Sequence, residues 1–139
     1  MTRTGIVTIL FTDLVDSTRL LEEMGDDEAE EVRQKHFQLL RDAVALTGGQ
    51  EVKNLGDGLM VVFPSALDAV GCAVAMQQAI ELYNKDAKVH PLQVRVGLHA
   101  GEPIRAENDY FGMAVVVAKR LCDSAQGGQI VASDLVKAL

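Results

Sequence analysis

Hydrophobic and polar positions divide the chain into runs of two different periods. Ile6–Thr12 (IVTILFT) is continuously apolar and rich in β-branched residues, the pattern of a central strand buried on both faces. It ends at Asp13, and after Leu-Val-Asp-Ser-Thr a helix begins, with Asp16, Ser17 or Thr18 as candidate caps. Met24-Gly25-Asp26-Asp27 interrupts the helical period. A second helix runs to about Leu46, with Val32, His36, Leu39, Leu40, Ala43 and Leu46 near one face and His36 at its boundary; Gly48-Gly49 ends it. Glu51–Leu55 and Leu59–Phe63 are short apolar-rich runs flanking Gly56-Asp57-Gly58, which predicts a β-hairpin. Ser65 with Asp68 three residues on resembles a capping box before an Ala-rich helix, Ala66–Tyr83, that holds Met76 in its core. Asn84–Pro91 is a polar connection.

Leu92–Gly101 alternates, with Val94, Val96, Leu98 and Ala100 on a buried face and Arg95, Gly97 and His99 on the other. His99 reads as a hydrogen-bonded structural residue. Pro103–Asn108 reads as a loop, Met113–Ser124 as a helix in which Val116 and Arg120 share a face, and Gln129–Ala132 as a short strand. Ser133 caps a last helix to Leu139.

The order β-αα-β-β-α-β, then α-β-α, contains the split βαβ unit. It predicts an α+β, ferredoxin-like fold with one antiparallel sheet and helices on one face, residues 1–139 forming one domain. In that fold the first strand and the first strand of the hairpin can be neighbours, which sets Asp13 and Asp57 at one edge of the sheet. Two carboxylates beside a helix N-terminus and a Gly-rich turn suggest a two-metal triphosphate site. Simpler uses exist for the same residues: Asp13 and Asp16 as caps, Asp57 as a turn residue.

Net charge is −7, which argues against a duplex nucleic-acid partner, because phosphate binding needs a basic face. A nucleotide stays compatible, since divalent cations can sit between carboxylates and phosphates. No apolar run approaches the length of a membrane span, and MTRTGIVTILF lacks a small-residue cleavage site, so a cytoplasmic location is expected. Cys72 and Cys122 lie in apolar helical patterns without metal-ligand spacing and read as buried free thiols.

FTDLVDST, KNLGDG, VRVGLHAG and DYFGMAVVVAKRL resemble, in order and spacing, the blocks of the class III nucleotidyl cyclase catalytic domain, across nearly all of the chain. That family makes a cyclic 3′,5′-nucleotide from a nucleoside triphosphate and releases pyrophosphate. The resemblance implies that Asp13 and Asp57 bind two divalent cations (Mg²⁺ or Mn²⁺), with the Leu14 carbonyl as a further ligand. It implies that the backbone of Val15, Asp16, Ser17 and Thr18 cradles the β- and γ-phosphates and that Arg95 contacts the triphosphate. Lys53 and Asp109 match the pair that reads the adenine edge, and Arg120 the Arg that stabilises charge developing at the α-phosphate. Lys donates to adenine N1 and Asp accepts from the N6 amine, whereas guanine reverses both groups, so ATP is expected over GTP. In the family each site is shared between two chains, which implies a head-to-tail homodimer with two sites.

Three features depart from the pattern. Val116 stands where an Asn usually orients the ribose, and a low turnover is expected. Lys119 occupies a place that is commonly small. The family's domain continues with further strands, one bearing a phosphate-contacting Lys, so a C-terminally short domain is expected, with a monomer as the alternative to the dimer. The competing expectation for function is a catalytically weak pseudo-cyclase, a nucleotide-binding or regulatory partner module.

Overall fold

A computed structural model of the chain describes residues 2–86 and 90–139. In chain order the elements are β1 (Thr2–Arg3), β2 (Val7–Leu14), α1 (Ser17–Met24), α2 (Asp26–Thr47), β3 (Gln50–Asn54), β4 (Leu59–Phe63), α3 (Ala66–Asp86), β5 (Val94–Gly101), β6 (Ile104–Ala106), β7 (Asp109–Phe111), α4 (Met113–Ser124), β8 (Ile130–Ala132) and α5 (Asp134–Ala138). The expected connection Asn84–Pro91 falls partly on residues outside that description, and α3 takes up its first three positions.

Five strands pair in the order β3-β4-β2-β5-β8. The apolar run of β2 takes the centre, buried from Thr8 to Leu14, with β4 and β5 antiparallel on its two sides. β8 adds to β5 in parallel. One expected neighbour is corrected: β2 pairs with the second strand of the hairpin, and β3 lies at the edge. β4 (LMVVF) is buried along its whole length, whereas β3 (QEVKN) carries polar groups that an edge accommodates.

α2 and α3 cover one face of the sheet, with Phe37, Leu40, Met76 and Ile80 packed on Leu10, Val61, Val96 and Leu98. This is the expected ferredoxin-like half. The expectation of helices on one face alone is corrected by α4, which lies on the opposite face, where Ala118 and Cys122 meet Ile9, Phe11, Met60 and Val62. Gly97 makes that approach possible, since a Cβ there would stand 2.2 Å from the Cys122 nitrogen. The second face of β5 is therefore partly covered.

Two expectations on α2 are corrected. Its buried arc is His36, Phe37, Leu40, Ala43 and Val44. At about 100° per residue, Leu46 lies beyond the rim of that arc, and it is 83% exposed. His36 is no boundary residue but fully buried. The expected loop after Pro103 is instead a second, three-stranded sheet in the order β1-β6-β7. Strands of two or three residues are too short to show a period of two. Cys72 and Cys122 are buried free thiols, as expected. No helix among the described residues is long and apolar enough to cross a membrane.

Candidate active site

The register of β2 decides where its acids emerge. Ile9, Phe11 and Asp13 share the face under α4, and Asp13 is the cross-strand partner of Arg95 on β5. The Arg95 guanidinium donates through Nη2 to Asp13 Oδ2. On the other side of β2 the hairpin turn closes against the strand end. The Leu14 N–H donates to the Asp57 carbonyl at 2.8 Å, and the Leu59 N–H donates to Thr12 Oγ1 at 2.8 Å. Gly58 must lack a side chain, because a Cβ would lie 1.9 Å from the Thr12 carbonyl oxygen. Gly56 takes φ +95°, and the Asn54 side chain accepts from its N–H at 2.7 Å. Turn chemistry and close packing thus account for both glycines, and together they press Asp57 against the end of β2.

Asp13, Leu14, Asp16, Ser17, Thr18, Arg19, Glu22, Asp57 and Arg95 line one open cleft of about 430 Å³. Asp13 is 7% exposed. Partial burial, and then the hydrogen bond and charge of the adjacent Asp13, push the Asp57 carboxyl above the ordinary aspartate value. Two carboxylates therefore meet at short range with a deficit of positive charge. Arg95 Nε is buried in the same place without a partner among the described residues.

α1 starts at the rim of the cleft. Its N-cap is Asp16 in the left-handed region (φ 57°), and no side chain caps the helix. None of Asp16, Ser17 and Thr18 therefore fills the expected side-chain capping role. The first-turn N–H groups are left for an outside acceptor.

Lys53, Asp109 and Arg120 do not line the cleft; they lie on other parts of the chain. A register shift in β3 between Glu51 and Lys53 marks a bulge, which turns Lys53 toward β7. Lys53 Nζ donates to Asp109 Oδ2 at 3.0 Å. That bond, and then the Tyr110 N–H, hold the Asp109 carboxyl below its ordinary range. Arg120 is exposed on the outward stripe of α4 with Met113 and Val116, which are 68% and 40% exposed. The site residues thus form two groups, joined inside the groups and separate between them.

Two further side chains have other partners than the sequence suggested. Ser133 sits at the N-cap of α5 without a capping bond, and its Oγ instead lies 2.8 Å from His99 Nδ1. His99 is structural, as expected. Lys119, singled out only for its size, stands half-buried on α4 where its charge reaches both Asp13 and Asp57. The sequence signal for it was its place four residues after Val115 on an apolar stripe.

Comparison with known proteins identifies the family and the fold. The family model described as the adenylate and guanylate cyclase catalytic domain matches residues 1–139. An adenylate cyclase of Podospora anserina is 35% identical over 96% of this chain, which spans only 7% of that relative's length. The crystal structure of an adenylate/guanylate cyclase/hydrolase from Silicibacter pomeroyi superposes with a TM-score of 0.84 at 33% identity, over 99% of this chain and 80% of that one. The guanylyl cyclase Cya2 superposes with a TM-score of 0.87 at 28% identity, over 99% and 78% of the two chains. The chain belongs to the adenylate and guanylate cyclase catalytic domain family.

Proposed function

We propose that the chain is an adenylate cyclase domain that converts ATP to 3′,5′-cyclic AMP and pyrophosphate. The observation that carries the reading is the meeting of Asp13 and Asp57 in one cleft with Arg95 and the uncapped start of α1. The donor set fits two hard cations, Mg²⁺ or Mn²⁺. Asp13, Asp57 and the Leu14 carbonyl offer oxygen ligands, and the Asp57 carboxyl is raised first by partial burial and then by the adjacent Asp13, whose charge a cation would offset. Among the described residues no three His, Cys, Asp or Glu side chains form a cage, as suits ions that share a substrate's phosphates. When bound, such ions activate the ribose 3′-hydroxyl and steady the leaving pyrophosphate.

The chain's own groups do the rest. The N–H groups of Asp16–Thr18 bind the β- and γ-phosphates, the expected Val15 N–H being taken by the Gln93 carbonyl at 2.9 Å, and Arg95, with its unpartnered Nε, donates to the triphosphate. The 3′-oxygen forms a bond to the α-phosphorus, the bond to the β-phosphate oxygen breaks, and the hydroxyl proton leaves to solvent. Lys53 and the ionised Asp109 read adenine N1 and N6. Arg120 stabilises charge on the α-phosphate.

Because the two groups are separate in one chain, a second copy in head-to-tail arrangement supplies Lys53, Asp109 and Arg120. Exposed Phe111, Met113 and Val116 around Arg120 suit burial against that copy. A cytoplasmic location goes with this reading, since nucleoside triphosphates and free thiols belong to that compartment.

Val116 favours a second reading, a nucleotide-binding module of little turnover, because an apolar side chain stands where the ribose needs a hydrogen bond. Incubation with ATP or GTP and Mn²⁺, using the unaltered chain and Asp57→Ala, separates the two. Cyclic AMP from ATP that disappears in the variant supports the cyclase. Nucleotide bound without any cyclic product supports the module.

A further inference from the structure

The direction of α4 fixes what its flanks can reach. Ala114 lies against Gly101, whose partner on β2 is Val7, and Cys122 lies against Gly97 and the carbonyl of Arg95, whose partner is Asp13. α4 therefore runs along β2 toward the end that carries the acids. Val115 is partly buried against the cluster of Ile9, Phe11, Met60, Val62, Tyr110, Ala118 and Cys122, so its stripe turns toward the sheet. Lys119 is the next residue on that stripe, one turn nearer to Asp13 and Asp57. Arg120 follows the other stripe, outward with Val116.

We infer that Lys119 is a phosphate-binding residue of its own chain's cleft, its ammonium leaving Asp123 to contact the triphosphate held between the end of β2 and the start of α1. The inference rests on the function proposed above and adds a contact on the metal side of the site, distinct from the outward Arg120 beside it. In the structure Lys119 Nζ donates to Asp123 Oδ1 at 2.9 Å, with 43% and 55% of the two side chains exposed. An exposed pair four residues apart on a helix is weak, and a flexible four-carbon stem lets the charge change partner. The cleft itself is short of cations: Asp13, Asp16, Glu22 and Asp57 line it against Arg19 and Arg95. Two divalent ions and a triphosphate of about four negative charges nearly cancel, so that shortage persists when substrate is bound. Partial burial opposes the Lys119 charge, yet Asp123, and Asp13 behind it, hold its ammonium above the ordinary lysine range.

The test is equilibrium binding in Mn²⁺ by calorimetry with two probes, inorganic pyrophosphate and non-cyclisable α,β-methylene ATP. Lys119→Met is expected to weaken both about tenfold, and Lys119→Arg, which keeps the charge, to hold binding near that of the unaltered chain. Asp123→Asn, which removes the resting partner, is expected to tighten both about twofold. Equal binding by Lys119→Met and the unaltered chain overturns the inference and leaves the cleft reading intact. So does a loss confined to the nucleotide, or an Asp123→Asn variant that loosens as Lys119→Met does, which would mark the pair as merely structural. An unaltered chain that takes up neither probe removes the cleft reading and this inference together.

Discussion

The two halves of the site differ in how they are held. Asp13, Asp57 and Arg95 sit where three backbone segments meet, fixed by strand register and by the Leu14–Asp57 backbone bond. Lys53 and Asp109 are surface side chains 3.0 Å apart, joined across two sheets by one exposed ion pair. The first half is built into the core and is electrically unsatisfied: burial and Asp13 push the Asp57 carboxyl up. The second half is satisfied by itself, and its pair lowers the Asp109 carboxyl. A rigid, uncompensated cluster is suited to hold cations, whereas an exposed donor–acceptor pair can open to admit a base edge. The difference teaches that one chain preassembles the acidic half through its backbone and leaves the Lys53–Asp109 half at its surface, which under the proposed function are the halves that do the chemistry and choose the base.

The largest expected effect lies in the core half. Asp57→Ala should reduce cyclic product formation by about 10³-fold or more, with little change in the secondary structure seen by circular dichroism. Retention of activity within tenfold would remove Asp57 from the cation site.

Acid should act on the core beneath that half through His36. This residue is fully buried on α2, with no partner for either ring nitrogen among the described residues. Burial above all lowers its pKa from 6.5 to about 4, with the charges of Arg33 and Arg41 opposing protonation and that of Asp13 favouring it. The unfolded chain takes up the proton near pH 6.5 and the folded chain only near pH 4. Stability is therefore lost as pH falls through that window, by about 3 kcal/mol in all from this group. His36→Leu should flatten the pH dependence of urea unfolding between those values; a parallel curve would show the loss arising elsewhere.

On the surface half, Lys53→Glu combined with Asp109→Ala should move the ratio of GTP to ATP use by about tenfold toward GTP. An unchanged ATP preference would mean that the base is read by other groups. Equal mixing of Asp57→Ala and Arg120→Ala chains should restore about a quarter of the unaltered activity, since half of the dimers are mixed and each holds one intact site. Two inactive variants that stay inactive when mixed would place both halves of a site in one chain.

The smallest effect is a gain. Without divalent ions Asp57→Asn should raise Tm by roughly 1–3 °C at neutral pH, because it relieves the repulsion by Asp13; the figure allows for solvent screening at a partly exposed group. A folded-state pKa above the ordinary value means that the unaltered chain is penalised as pH rises from that ordinary value through the raised one. The gain should therefore vanish in acid below the ordinary aspartate pKa.

Much of this was legible in the order of residues. The β2 run, the GDG turn, the α2 stop at Gly48 and the core helix α3 each follow from local rules of period, turn chemistry and capping. The four motif blocks pointed to the family and to the acids at the ends of β2 and the hairpin. Several features depend on distant partners and left no local trace. The pairing of β2 with β4 instead of β3 is decided by which strand buries both faces. The burial of His36 follows from the roll of α2 on the sheet, which also turns Leu46 outward. The short β6–β7 hairpin has no period to read, yet it brings Asp109 to Lys53.

What the residue order determined by itself was the longer helices, the strands of the main sheet and the identity of the acids, because propensity, periodicity and turn geometry act over a few neighbouring residues. What only the tertiary structure decided was company: Arg95 on Asp13, Lys53 on Asp109, and the Leu14 N–H on the Asp57 carbonyl. Electrostatic and packing energies depend on distance through space, and residues 56 or 82 apart along the chain become neighbours only when the sheet closes.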